Sequence, residues 1–245
     1  MEIITASKNS VEQAPRDAGT IIAASILGAD QLNLGRDLQN AEDTGEVAWV
    51  QVDVMDGRFC PNMAFGPETI AAIAQQSALF IDVHLMVERP KALLPLFAQK
   101  GADLITVHAE AKDSPKECLR LIRKLGKYAG LAIKPKTPVK KILPLLPEID
   151  LLLIMTVEPG FAGQKFIESC VPKIRQAREA IKKSGSKVSW IEVDGGIGEA
   201  SIPAVVAAGA NVLVCGSSLF REAPSITVPR LWQTIRQANA SLKIS

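Results

Sequence analysis

The 245 residues predict an α/β protein built as a single-domain (β/α)8 barrel. Three observations carry that expectation. Short apolar runs alternate about eight times with longer amphipathic stretches. The length is near the usual size of one such barrel. Helical stretches repeatedly end at a glycine a few residues before the next apolar run, as a helix C-cap requires.

In chain order the predicted strands are Ile21–Ile26, Ala48–Val54, Phe80–Leu85, Leu104–Val107, Gly130–Ile133, Leu151–Met155, Val188–Val193 and Val212–Cys215. Each is a short aliphatic or β-branched run. Between them Leu119, Ile122 and Leu125 recur three apart, and Ile174, Ala177 and Ile181 fall on one helical face. Ser114-Pro115 and Thr137-Pro138 read as helix starts, and Gly45, Gly101, Gly126, Gly185 and Gly209 as helix ends. Gly101-Ala102-Asp103 and Gly209-Ala210-Asn211 look alike, which suggests an old repeat of single strand-helix units. Strand order is not written in a sequence, so an open doubly wound sheet stands as the alternative.

Residues 1–20 are polar and have no hydrophobic targeting core, and Glu2, Glu12 and Asp17 argue against an organelle transit peptide. They read as a flexible extension before a barrel over residues 21–245. A net charge of +2 and only 4% aromatic residues argue against a nucleic-acid surface. No apolar run approaches the length of a membrane span. Cys60, Cys118, Cys170 and Cys215 form no Cys-x-x-Cys pair and read as buried thiols of a reducing, cytoplasmic compartment.

Asp53 and Asp194 each close a predicted strand and meet a turn or glycine directly, as active-site carboxylates do at a barrel mouth. Alternate residues of a strand share a face, so Gln51, Asp53 and Met55 point together. Asp82, His84 and Met86 do so as well, and so do Glu192 and Asp194. Convergence of Asp53, His84 and Asp194 would offer two oxygens and one nitrogen to one divalent ion such as zinc, iron or manganese. The two carboxylates could remove a proton from one face of a carbon and return one to the other. His108-Ala109-Glu110 reads as a supporting element. Met55, Met86 and Met155 would form a water-poor collar. Three glycine-bearing loops suit a phosphate: Glu158 to Gln164, which includes Gly160, Phe161, Ala162 and Gly163; Gly195-Gly196; and Gly216-Ser217.

Several strings resemble the ribulose-phosphate 3-epimerase family. They are Ala24-Ser25-Ile26-Leu27, Val52-Asp53-Val54-Met55-Asp56-Gly57, Phe59-Cys60-Pro61-Asn62, Val83-His84-Leu85-Met86, Thr106-Val107-His108-Ala109-Glu110, Met155-Thr156-Val157-Glu158-Pro159-Gly160-Phe161, Gly163-Gln164 and Glu192-Val193-Asp194-Gly195-Gly196. The resemblance runs in family order from about Ile21 to about Phe220. It implies a TIM barrel that interconverts D-ribulose 5-phosphate and D-xylulose 5-phosphate in pentose-phosphate metabolism. It also implies a divalent metal on two Asp and two His, with both Asp serving as acid and base. Asp53, His84 and Asp194 match three of those positions, and His84 also borders the substrate. Ser25 matches a substrate-contacting serine. A homo-oligomer is compatible with the resemblance, and no exposed stripe fixes its number.

The departure is Gln51, which stands where the family pattern has His. Its amide oxygen is neutral and harder than imidazole, so weaker zinc binding or a shift toward oxygen-preferring ions is expected. Ala24 and Ala162 replace residues that are usually Pro and often Gly. The rival readings are a phosphosugar-binding paralogue without turnover, a ketohexose 6-phosphate epimerase, and a Schiff-base aldolase on Lys134.

Overall fold

A computed structural model describes residues 19–242, so most of the predicted extension over residues 1–20 lies outside the described residues. Eight parallel strands close on themselves: β1 (Ile21–Ser25), β2 (Trp49–Asp56), β4 (Phe80–Met86), β5 (Leu104–His108), β6 (Tyr128–Ile133), β7 (Leu151–Met155), β8 (Trp190–Asp194) and β9 (Val212–Cys215). The two-residue β3 (Met63–Ala64) pairs antiparallel with the end of β2. Pairing of β1 with both β9 and β2 completes the ring and rules out the open sheet.

Helices cover the outside: α1 (Leu34–Glu42), α2 (Pro67–Gln76), α3 (Leu94–Gln99), α4 (Pro115–Lys124), α5 (Val171–Ser184), α6 (Ile202–Ala207), α7 (Ser217–Phe220) and α8 (Pro224–Leu242). The helical faces read from the sequence are the buried ones. Leu119 and Ile122 of α4 and Ile174, Ala177 and Ile181 of α5 all sit in the layer between helices and strands. Ser114 caps α4 by accepting the Glu117 backbone N–H. The five predicted helix-end glycines all have positive φ, from +64° at Gly185 to +111° at Gly101. α8 is anchored to the start of the barrel, where the Trp232 indole N–H donates to the Glu46 carbonyl at 2.9 Å.

Thr137-Pro138 does not start an α-helix. The connection from β6 to β7 is two 3-10 segments, Val139–Lys141 and Leu143–Glu148. Pro138, Pro144 and Pro147 lack the N–H groups that α-helical bonds would need there. β8 begins at Trp190, two residues later than predicted, and keeps Asp194 as its last residue.

The two look-alike strings do the same job. Asp103 accepts the backbone N–H of Ile81 at 2.9 Å, and Asn211 accepts that of Ile191 at 2.7 Å. Each thereby ties the start of its own strand to the neighbouring strand. Asp150 does likewise for Ala129 at 2.8 Å, without the preceding glycine.

Inside the ring, alternate residues stack in layers. The floor is aromatic: the rings of Trp49 and Phe80 lie 4.5 Å apart, and Trp190 meets Trp49 and Tyr128 edge-on at 5.2 and 5.3 Å. All four cysteines are buried and free. No helix among the described residues is long and apolar enough to cross a membrane.

Candidate active site

Strand register brings the predicted residues together. β2 and β4 pair Gln51 with Asp82, Asp53 with His84 and Met55 with Met86, which stacks three rungs from the barrel's middle to its rim. Across the barrel β8 supplies Glu192 and Asp194, with Asp194 opposite Met155 of β7. One carboxylate oxygen each from Asp53 and Asp194 and a ring nitrogen of His84 lie within 4.8 Å of one another.

Asp53 is held from two sides. The Ser25 hydroxyl donates to its Oδ2 at 3.1 Å, and His84 Nδ1 lies 2.9 Å from its Oδ1. His84 Nδ1 is also 3.8 Å from Asp194 Oδ2. Burial alone would lower the His84 pKa. The Asp53 hydrogen bond and the charges of Asp53, Asp194 and Asp82 outweigh it and raise the pKa above the usual imidazole value. Burial, followed by the nearby Asp53 charge, pushes Asp194 up to about 8 when no cation is bound.

One rung lower, Gln51, Asp82, Thr106 and Glu192 are fully buried. No carboxylate oxygen of Asp82 or Glu192 has a hydrogen-bond partner among the described residues, and the two groups stand close enough for the Asp82 charge to disfavour that of Glu192. Burial is the main reason that Asp82 rises to about 6 and Glu192 well above its ordinary value. Neither polar atom of the Gln51 side chain has a well-aligned hydrogen-bond partner among the described residues, although its amide stands close enough to Asp194 to pull that carboxyl down.

Above these rungs opens a cleft of about 530 Å³, counting the part open to solvent. Ser25, Asp53, Met55, Met86, Met155 and Asp194 line its inner end. Gly160, Phe161, Ala162 and Gly163 line it from the loop after β7. Gly195 and Gly196, with Gly216 and Ser217, line it after β8 and β9. Of the predicted site residues, only His84 and Gln51 stay below the cleft surface. Phe161 is 54% exposed at the rim. Lys134 does not line the cleft; its ammonium lies 3.9 Å from the centre of the Phe59 ring. That placement removes the basis for an aldolase.

The amino-acid sequence is itself similar to known proteins. The sequence pattern of the ribulose-phosphate 3 epimerase family matches residues 21–220. The ribulose-phosphate 3-epimerase of Bacillus subtilis is 43% identical over 199 residues, which cover 81% of this chain and 91% of that one. The chain belongs to the ribulose-phosphate 3-epimerase family. A second family member, from Chlamydia muridarum, is 46% identical over 83% of this chain and 90% of its own. Among solved structures, 3-hexulose-6-phosphate synthase from Salmonella typhimurium superposes with a TM-score of 0.66 at 18% identity, over 89% of this chain and 99% of that one, a likeness of fold alone.

Family membership leaves several working residues that strand parity could not find. Asp56 accepts backbone N–H groups from Arg58 and Phe59, both at 2.9 Å, and from Glu88 at 2.8 Å, which shapes the loop after β2. Asn62 then donates to the Gly160 carbonyl at 2.7 Å and ties that loop to the one after β7. Gln164 closes its own loop by donating to the carbonyls of Glu158 and Phe161 at 2.8 and 3.0 Å. Gly28 also lines the cleft, and a Cβ there would come within 2.5 Å of the Gly216 backbone. The sequence signal for Asp56, Asn62 and Gln164 was the family strings, which mark the positions without their contacts, and Gly28 lies outside those strings.

Proposed function

We propose that this protein is an isomerase, a ribulose-phosphate 3-epimerase that interconverts D-ribulose 5-phosphate and D-xylulose 5-phosphate. Asp53 and Asp194 are its two proton-transfer groups. The observation that carries this reading is the pair itself: two carboxylates from distant strands, both lining one cleft and both within 4.8 Å of the same imidazole. C3 of the substrate adjoins the C2 ketone, so its proton is acidic enough for a positioned carboxylate to remove. One Asp takes that proton and the other delivers a proton to the opposite face, and the roles exchange in the reverse direction.

The donor set suits a divalent ion. Asp53 and Asp194 offer anionic oxygens and His84 a nitrogen, and the Gln51 amide is buried without a well-aligned partner to compete for it. Zinc, iron or manganese bound there would stabilise negative charge developing on the substrate oxygens. Ser25 fixes the Asp53 carboxylate, while the buried Met55, Met86 and Met155 keep water from the reacting carbon. The backbone around Gly160–Gly163, Gly195–Gly196 and Gly216–Ser217 is suited to receive the phosphate. This reading puts a small sugar phosphate, in the cytoplasm, as the partner. It also makes the barrel from residue 21 onward the catalytic unit.

The test is a coupled epimerase assay on metal-stripped protein, with zinc, manganese and iron added back and a hexulose phosphate run beside the pentulose. Turnover should return with a divalent ion and favour the pentulose. Gln51→His should hold zinc at least ten-fold more tightly, since an imidazole replaces a neutral amide (roughly the 10–100-fold scale of ligand-shell changes). Phosphosugar binding without turnover under every metal would refute the proposal.

A further inference from the structure

His108 and Glu110 belong to neither the carboxylate pair nor the cleft lining, yet they complete an unbroken chain behind His84. His84 Nε2 lies 2.9 Å from His108 Nε2, and His108 Nδ1 lies 3.1 Å from Glu110 Oε2. Glu110 Oε1 in turn accepts the Lys134 backbone N–H at 2.9 Å. Both rings are fully buried.

Two ring nitrogens 2.9 Å apart need one proton between them, so one ring donates and the other accepts. The direction is set at the far end. A carboxylate can only accept, so the proton between His108 and Glu110 belongs to His108 Nδ1. Burial would raise the Glu110 pKa, but the hydrogen bonds from His108, Thr137 and the Lys134 N–H hold it down at about 2. His108 faces Glu110, His84 and the Phe59 ring, whose centroid is 4.6 Å from its own, with the Lys134 ammonium over that same ring. The His108 ring is fully buried, and a second proton would place an extra charge there away from water. A neutral His108 protonated on Nδ1 has its lone pair on Nε2, so His84 Nε2 must donate.

We infer that Glu110 and His108 are positioning residues that keep a proton on His84 Nε2, so that a cation shared with Asp53 and Asp194 would replace the Nδ1 proton that now faces Asp53 Oδ1 at 2.9 Å. This rests on the metal reading given above. Metal-ligating imidazoles commonly need such a partner on the second nitrogen, and its loss typically weakens metal binding ~10–100-fold.

The test uses zinc alone as the probe. In zinc-loaded protein labelled with ¹⁵N-histidine, long-range ¹H–¹⁵N correlation should show His84 protonated on Nε2 and His108 protonated on Nδ1. Zinc affinity by chelator competition should fall ~10–100-fold in His108→Phe. His108→Gln, which keeps one acceptor and one donor, should recover most of that loss. Stoichiometric zinc that Asp194→Asn weakens but His108→Phe does not would overturn this inference and leave the metal reading intact. A His84 proton on Nδ1 would do the same. Wild type that takes up no zinc, manganese or iron would remove both. The correlation spectrum needs only wild-type protein, so a variant that fails to fold does not protect the idea.

Discussion

The floor and the mouth of the barrel are built by the same strands and make opposite demands on them. Along β2 the inward residues run Trp49, Gln51, Asp53, Met55, from a 3% exposed indole to a carboxylate at the cleft. At the floor the rings of Trp49, Phe80, Tyr128 and Trp190 fill space against one another, and every contact stabilises the fold. At the mouth Asp53 and Asp194 crowd like charges into a buried space, which works against folding and favours chemistry. Between them lie Asp82 and Glu192, buried carboxyl groups whose raised pKa values favour their neutral forms and so limit the charge between the dry packing and the mouth. A strand therefore divides its task by height, and substitutions should divide the same way.

The largest stability effect should come from the floor. Phe80→Ala removes a fully packed ring and should destabilise by ~3–5 kcal/mol in urea melts. Turnover per folded molecule should hold. A large fall in turnover there would break the separation of floor from mouth.

A smaller change is expected at the cleft. Gly196 has φ +66°, and a Cβ there would lie 2.5 Å from the Phe166 backbone nitrogen. Gly196→Ala should cost about 1–3 kcal/mol in stability through backbone strain. It should also raise KM more than it lowers kcat, because the residue lines the end of the cleft proposed to receive the phosphate. An unchanged KM would remove that loop from the substrate's reach.

The smallest effect sharpens the middle layer. A buried acid whose native pKa is raised binds more protons folded than unfolded, so its contribution falls as pH rises above the unfolded value. For Glu192 that window opens near its ordinary 4.5 and extends well above it, with Asp82 titrating at about 6 within it. In chelator-treated protein Glu192→Gln should therefore become more stable relative to wild type between pH 5 and pH 8. A pH-independent difference between the two would mean that burial does not raise the Glu192 pKa.

Much of this was legible in the residues. Short apolar runs and glycine-ended helices marked the (β/α) units, and parity put Asp53, His84 and Asp194 on faces that converge once the barrel closes. Closure was expected from eight strand-helix units, but the open sheet stood as an alternative because pairing of β1 with β9 is a contact between chain ends that no local pattern encodes. The helix expected after Thr137-Pro138 failed because three prolines outweighed an apolar run that includes Leu143, Leu145 and Leu146. Strand spacing placed His108 near the mouth, but its partnership with His84 depends on side chains meeting across neighbouring strands. The Asn62–Gly160 bond spans 98 positions and two loops, where periodicity carries no information.

The most direct test of the paired-carboxylate account is C3 exchange from D₂O. Ribulose 5-phosphate is incubated with wild type, Asp53→Asn and Asp194→Asn, and deuterium at C3 is read by NMR. Loss of either acid–base group should slow epimerisation ~10²–10⁴-fold. Each variant should also slow exchange from the substrate epimer whose proton its missing carboxylate removes. Wild-type exchange in both variants would contradict the account.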